Sequence, residues 1–563
     1  MINGFKYNGM LAAFATVALA ACTQAEVDVV YTGLEASPEV GGPAVMSRLT
    51  QDQYRNIISD VFGNTVTLGG RFEPDNRVGH LIAVGAGQAS ITASGLEQYD
   101  KMARSLAEQI TSEENREQYL GCVPEVSTAP DDSCSREVLS RVGKLLFRRP
   151  LSEMELERYV QASADASLKV DDFYHGLGLG LAGLLSSPQF LFRHEVTEAD
   201  PQNPGQLRLN AYSKASRLSF FIWNTSPDPA LLAAAENGEL HTQRGLQKQV
   251  DRMLNSPLLE DGVRAFFIDM LEFDRFDTLA KDATIYPKFT FAAADNAREQ
   301  TLKTVIDHLV TKNGDYRGLF TTKDTFLTPL LGSMYRVPVM VPDGLPDAWV
   351  PYTFDEGSQQ AGIITQASFV ALHSHPGRSS PTLRGMALRE VLMCQIVPDP
   401  PGAVNFDIIQ DTFNPNLKTV RLRLLAHSSE PMCAGCHKIT DPMGLALENF
   451  DTAGGFRSTE NGVPIDTTGE LDGKTFEGPD GLGQALFNSP AVTECLVNRV
   501  YAYGTGRKAT KAEEDWLKTT VKNRFAADGY SVPQLLRSIA TSDSFYRVIP
   551  SEAKSEIASS FLN

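Results

Sequence analysis

Apolar side chains recur three and four residues apart along much of the chain, the spacing that predicts amphipathic α-helices. The first stripe follows a capping box, Thr50 with Gln53, and Gly63 is well suited to end that helix. A second capping box, Ser152 with Glu155, begins another helix. The stripes lie at Tyr54–Val61, Val138–Leu146, Leu246–Leu254, Val263–Leu271, Leu517–Phe525 and Leu535–Ile539.

Extended structure is expected in only two stretches. Residues 334–356 are rich in Val and Pro, and residues 453–483 are rich in Gly with a hairpin-type turn at Asn461-Gly462. The sequence therefore predicts a mainly α, multi-domain helical protein with little β-structure. Its expected helical segments are 46–120, 135–200, 207–335, 356–457 and 458–548.

The N-terminus, residues 1–22, resembles a bacterial lipoprotein signal peptide. Its apolar segment from Met10 to Leu19 is too short to span a bilayer, and Leu-Ala-Ala-Cys ending at Cys22 is a lipobox. We expect acyl chains on Cys22 to hold the protein at a membrane, the outer membrane because Thr23 follows, with residues 23–45 as a flexible tether. The alternative is ordinary secretion with a free Cys22.

Charge narrows the choice of partners. The chain has 51 basic and 69 acidic residues, a formal net charge of −18. This balance argues against nucleic acid and against anionic lipid headgroups as partners. No segment beyond the N-terminus is hydrophobic enough for membrane insertion.

The most informative motif is Cys433-Ala-Gly-Cys436-His437, because Cys-x-x-Cys-His attaches c-type haem. On a helix, positions i, i+3 and i+4 share a face, so two thioethers and one iron ligand reach the same porphyrin. Random placement of seven cysteines and nine histidines gives only about 0.0014 such motifs in a chain of this length. We therefore predict one covalent haem c, with residues 356–457 as its attachment domain and the fold ending in a cytochrome c-like haem segment.

Two other interpretations of the motif stay open. Cys433 and Cys436 could form a redox-active or structural disulfide, or half of a zinc site. A zinc site would need a second Cys/His pair nearby, but after His437 the sequence contains only Cys495 and no further His.

The other cysteines indicate an oxidising compartment. We pair Cys122 with Cys134, around a Pro- and Asp-rich loop, and Cys394 with Cys495, around the haem motif. Four cysteines permit three connectivities, and buried free thiols are the alternative.

His437 is the predicted proximal iron ligand, through Nε2. We expect the segment Asp441–Gly444 to form a Pro-containing loop whose backbone carbonyl orients Nδ1, which leaves Met443 on the proximal side. No Met or His follows Met443, so a sixth ligand comes from upstream, or is water or an oxygen or nitrogen side chain. The upstream candidates are His373, His375, Met386, Met393 and His427.

Short blocks along the chain resemble a family of secreted cytochrome-like proteins first noted in planctomycetes, built from domains of unknown function 1587, 1595, 1592, 1588 and 1585. Their order here is the family's order. The blocks are Arg48–Arg55, Phe147–Ser152, Leu185–Leu191, Arg217–Asn224, Gln249–Leu254, Ser380–Gly385, Cys433–His437, Asp441–Asp451 and Tyr501–Arg507. The resemblance implies this domain layout over roughly residues 45–548 and a cytochrome character, without a substrate or reaction.

These observations together predict a lipid-anchored periplasmic or cell-surface c-type cytochrome-like protein in electron transfer, with an unidentified redox partner protein. Both an electron carrier and a haem-dependent oxidoreductase fit the motif. The alternatives are a peroxidase-like enzyme with an open iron position and a haem-free surface lipoprotein that binds a partner or polymer.

Overall fold

The computed structural model describes residues 34–399 and 407–550. Helix accounts for 55% and strand for 8%, which confirms the mainly α fold that the apolar spacing predicts. The predicted signal peptide, Cys22 and residues 23–33 of the predicted tether lie outside the described residues. Within the described part, no helix combines the length and the apolar character needed to cross a membrane.

The N-terminal helices surround one hydrophobic cluster. Both predicted capping boxes are present, and Gly63 follows the first helix with φ 72°. Buried side chains from the 46–120 and 135–200 segments, such as Tyr54 and Leu146, belong to this same cluster. The helices are α1 Gln51–Phe62, α2 Ile82–Ala86, α3 Ala93–Thr111, α4 Arg116–Tyr119, α5 Asp132–Phe147, α6 Glu153–Val170, α7 Phe173–Leu185 and α8 Pro188–Leu191.

The middle of the chain forms the helices around which the larger cluster is built. The predicted stripes at Leu246–Leu254 and Val263–Leu271 are the buried faces of two successive helices. The helices are α9 Ala211–Ile222, α10 Pro229–Glu236, α11 Gln243–Leu254, α12 Leu258–Met270, α13 Phe291–Ile306 and α14 Pro329–Tyr335.

The C-terminal part continues this cluster, which includes residues from Val40 to Val548. A π-helical turn, Leu388–Leu392, directly follows α16. The helices are α15 Ala367–Leu372, α16 Pro381–Ala387, α17 Asp407–Gln410, α18 Val420–His427, α19 Pro431–Leu445, α20 Gly478–Phe487, α21 Pro490–Thr505, α22 Lys511–Trp516, α23 Lys522–Ala527 and α24 Val532–Ala540.

Strands form small antiparallel sheets between the helices. The predicted turn at Asn461-Gly462 joins β7 to β8. The paired sets are β1 with β2, β3 with β4 and β11, β5 with β6, β7 with β8, and β9 with β10. The strands are β1 Met46–Arg48, β2 Phe192–His194, β3 Thr197–Ala199, β4 Leu207–Leu209, β5 Asp324–Leu327, β6 Val350–Thr353, β7 Thr459–Glu460, β8 Val463–Pro464, β9 Thr468–Leu471, β10 Lys474–Glu477 and β11 Arg547–Val548.

Both predicted disulfides are present. Cys122 and Cys134 close the loop that enters α5, with Cα atoms 5.7 Å apart. Cys394 and Cys495 join the segment after α16 to α21, with Cα atoms 5.2 Å apart. The second bridge ties the polypeptide on either side of the Cys-x-x-Cys-His motif to one position in the fold.

Candidate functional site

The helix α19 carries the Cys-x-x-Cys-His motif in its first turns. Cys433, Cys436 and His437 line one cavity of about 460 Å³, within the size range of small-molecule and cofactor sites. The cavity surface is largely apolar. Its other walls are His375, Arg378, Ser380, Pro381, Thr382, Leu383, Met386, Val397, Pro398, Asp399, Ile409, Gln410, Val420, Leu424, His427 and Thr440.

Two glycines bring α16 and α19 into backbone contact beneath the cavity. A Cβ atom added to Gly385 would lie 1.9 Å from the carbonyl oxygen of Thr440, and one added to Gly444 would lie 1.8 Å from that of Pro381. Only glycine leaves room for these approaches. The motif helix is therefore held at a fixed distance from the helix that supplies Thr382 and Met386.

The two motif cysteines are free thiols, and both side chains are half-buried. The Cys436 thiol donates to the Pro398 carbonyl oxygen across 3.4 Å. Among the described residues, no group of three or more His, Cys, Asp and Glu side chains is arranged to hold a metal ion.

His437 is oriented by a carboxylate. Its Nδ1 lies 2.7 Å from Asp441 Oδ2, and Thr382 Oγ1 donates to Asp441 Oδ1 across 2.8 Å. With Nδ1 as donor, Nε2 is the nitrogen left to bind a metal. Thr440 Oγ1 also donates to Asp441 Oδ1, across 3.2 Å, so three groups fix the carboxylate.

The prediction of a Pro-containing loop after the motif is wrong. α19 continues through Pro442 to Leu445, and the Nδ1 partner is the Asp441 side chain instead of a backbone carbonyl. Pro442 loses one helical hydrogen bond, yet close packing of α19 on α16 maintains the helix. Met443 is fully buried in the main hydrophobic cluster and does not line the cavity.

The five upstream ligand candidates divide into two groups. His375, Met386 and His427 line the cavity, whereas His373 and Met393 do not. The His373 ring packs against Phe369 with centroids 4.9 Å apart, and burial lowers its pKa to about 3. Met393 belongs to the main hydrophobic cluster.

His427 contacts the motif histidine directly. The ring centroids of His427 and His437 are 5.0 Å apart in an edge-on arrangement. Burial, followed by the nearby His437, lowers the pKa of His427. The two imidazoles therefore lie side by side at one wall of the cavity.

The loop that contains His375 is held by a buried cation. Lys281 Nζ donates to the carbonyl oxygens of Ala371, Ser374 and His375 across 2.6, 3.1 and 3.4 Å. Burial, with a smaller contribution from Arg384, lowers the pKa of Lys281 to about 7. These hydrogen bonds from Lys281 fix the backbone that carries His375.

A buried ion network connects the other end of this loop to α19. Glu448 accepts from Ser379 Oγ across 2.8 Å and from Arg457 across 2.7 Å. Arg384 lies 3.5 Å from Glu448 and donates to the Leu447 carbonyl oxygen. Burial raises the pKa of Glu448. The network positions the cavity wall.

Five family models match the chain, each described as a protein of unknown function. They are DUF1587 over residues 47–112, DUF1595 over 134–195, DUF1592 over 209–337, DUF1588 over 360–460 and DUF1585 over 472–545. The chain carries five domains of the planctomycete-type cytochrome-like family. No curated protein and no solved structure matches it.

Among the described residues, every side chain that lines the cavity belongs to the segment that the DUF1588 model matches. Sequence reasoning missed Arg378 and Thr382 as cavity residues. The signal for Arg378 was its position three residues after His375 in a polar, Pro-interrupted stretch. Thr382 gave no signal, because its role depends on the contact between two helices.

Proposed function

We propose that this protein binds one haem c covalently through Cys433 and Cys436, with His437 Nε2 as proximal ligand, and acts in electron transfer. The observation that carries the proposal is that two free thiols and one carboxylate-oriented imidazole line the same largely apolar cavity of about 460 Å³. These residues fit the group, since attachment needs two thiols and a neighbouring imidazole on one helical face.

The residues around the iron position have separable tasks. A bound haem would supply an iron that exchanges single electrons. Asp441 accepts a hydrogen bond from His437 Nδ1, which fixes the tautomer and leaves Nε2 to bind the iron. Apolar walls such as Leu383, Val420 and Leu424 exclude water.

His375 and Met386 are the residues we propose as sources of a sixth ligand, because each lines the cavity, whereas His427 lies beside His437 at the same wall. His375 is carried by the loop that Lys281 holds, and Met386 by α16. A His or Met ligand would make the protein an electron carrier.

The carboxylate on His437 favours a second function, that of a peroxidase-like haem enzyme with an open iron position. With a haem bound, electron donation from a carboxylate-oriented His437 would assist peroxide chemistry at an open iron position. Cyanide and peroxide titrations separate the two functions. A carrier with both positions filled keeps its spectrum, whereas an open site changes it at stoichiometric ligand.

The proposal includes an anchor at the outer membrane, with the protein facing the periplasm or the cell surface. Acyl chains on Cys22 would provide it, and an electron-transfer partner would meet the protein there. Labelled palmitate should be incorporated into the native chain and not into Cys22→Ser.

Expression with the c-type maturation machinery tests the haem assignment. The pyridine haemochrome spectrum should show one haem c per chain, and Cys433→Ser with Cys436→Ser should lose covalent retention. Lys438→Ala, an exposed neighbour on the same helix, is the matched control and should keep the haem. A colourless native chain from the same expression would refute the proposal.

A further inference from the structure

Arg378 is a cation in the wall of the cavity that has no partner among the described residues. It lies between His375 and Ser380, the N-cap of α16, and its side chain is half-buried. Within the described residues, the guanidinium makes no hydrogen bond and no ion pair. The thiols of Cys433 and Cys436 line the same cavity.

The neighbouring arginines are all engaged. Each donates to at least one backbone carbonyl oxygen and forms an ion pair with a carboxylate. These are Arg384, Arg389, Arg421, Arg423 and Arg457. Arg378 is therefore the exception in this part of the described structure.

Among the described residues, no carboxylate pairs with Arg378: Asp399 lines the same cavity without an ion pair to it, and two others are engaged elsewhere. Glu460 accepts from Arg423 across 2.6 Å and from the Val420 amide across 2.7 Å. Glu448 is held by Ser379 and Arg457. The segment 400–406, which the structure does not describe, contains no Asp or Glu. A half-buried cation without an anion loses hydration and gains nothing in return.

Another cation, Arg423, lies near Arg378. Burial and then the nearby Arg423 lower the pKa of Arg378. Burial and then Arg378 lower the pKa of His375. An anion at this end of the cavity would relieve both effects. A planar carboxylate is the anion that a guanidinium binds through two parallel hydrogen bonds.

We propose that Arg378 binds a carboxylate of the cofactor, a haem propionate, and so fixes the porphyrin at a second position besides the thioethers. This proposal rests on the proposed function. Arg378 is a positioning residue here, since its contact is with the edge of the group and not with the reacting iron.

Reversible porphyrin binding tests the carboxylate contact directly. The full chain with Cys433→Ser and Cys436→Ser, which cannot form thioethers, is titrated with haem and with haem dimethyl ester, and absorbance reports the Kd. We expect haem to bind about tenfold or more tightly than its ester, because the ester cannot accept a charge-assisted pair of bonds. Adding Arg378→Gln should remove this preference.

The control is Lys438→Gln in the same background. It removes one exposed positive charge from α19, next to His437 but outside the cavity, and should keep the preference for haem. Equal binding of haem and ester to the parent protein would overturn the Arg378 proposal alone. Failure of the parent to bind either porphyrin would also overturn the Arg378 proposal, whereas the proposed function is refuted only by a colourless native chain in the haemochrome test.

Two further measurements distinguish binding of a haem propionate from other roles of Arg378. Isothermal calorimetry with succinate tests whether Arg378 binds a free organic acid. Binding that depends on Arg378, without a preference between haem and ester, would overturn the proposal. Thermal unfolding of apoprotein and haem-loaded protein is the second measurement. Arg378→Gln should leave the apoprotein Tm unchanged or higher and lower the haem-loaded Tm, whereas loss in both states would mean a merely structural role.

Discussion

Replacing Asp441 with Asn tests how the protein tunes the proposed iron site. The carboxylate accepts from His437 Nδ1 across 2.7 Å, a charge-assisted bond worth about 1.5–3 kcal/mol. Its negative charge favours the oxidised, more positive iron, so its loss should raise the reduction potential. If half of the bond energy distinguishes the two oxidation states, the rise is about 30–60 mV, because 59 mV corresponds to about 1.4 kcal/mol for one electron.

Spectroelectrochemistry on the purified haem-loaded chain measures this shift. Thr382→Val is the matched control, because it keeps the charge and removes only the 2.8 Å hydroxyl bond to Oδ1. The freed carboxylate should then accept more strongly from His437, so the potential should fall by a smaller amount. An unchanged or lower potential in Asp441→Asn would refute the role of the carboxylate.

Four further predictions follow from particular contacts. Gly385→Ala should destabilise the protein by about 2–4 kcal/mol in urea unfolding, because its Cβ would meet the Thr440 carbonyl oxygen, whereas Gly435→Ala, with open space around its Cβ, should be neutral or stabilising. The disulfide Cys122–Cys134 closes a loop of sequence separation 12, and its reduction should lower the free energy of unfolding by about 3 kcal/mol. A Cys122→Ser, Cys134→Ser control should not respond to reductant. The bidentate pair with Arg149 lowers the pKa of Glu155 to about 2. The contribution of this partly exposed pair to the free energy of unfolding, about 1 kcal/mol, should therefore be present above pH about 4.5 and be lost as the pH falls toward 2. Glu155→Gln should remove this pH dependence. His375→Ala or Met386→Ala should change the haem spectrum if that residue is the sixth ligand, whereas His373→Ala should lower stability without changing the spectrum.

Each of these has a contradicting result. A stable Gly385→Ala protein would mean that α16 and α19 are not in backbone contact. Equal unfolding with and without reductant would exclude a stabilising role for Cys122–Cys134. If Glu155→Gln unfolds in acid just as the native chain does, the Arg149 pair does not stabilise the protein. A spectral change in His373→Ala alone would contradict the assignment of cavity residues.

Local sequence signals predicted the helices well. Capping residues such as Thr50 and Ser152 accept hydrogen bonds from backbone amides within three residues. Their effect on where a helix begins can therefore be predicted without knowledge of the fold. The spacing of Cys433, Cys436 and His437 likewise fixes their common face, because helix geometry alone determines it.

The features that the sequence left open depend on distant contacts. Pro442 normally signals the end of a helix, but the packing of α19 on α16 overrides that preference and makes Asp441 the partner of His437. His373 and His375 are two residues apart in one polar stretch, yet one is core and the other lines the cavity, with a bend at Ser374 between them. No local pattern distinguishes them.

The mass of one tryptic peptide tests the central claim most directly. Cleavage after Arg423 and Lys438 releases Leu424–Lys438, which contains both thiols and His437. From chain matured in cells with the c-type attachment machinery, this peptide should carry the mass of one haem and absorb visible light. The same peptide at its unmodified mass, with two free or disulfide-bonded cysteines, would contradict a covalent haem at this site.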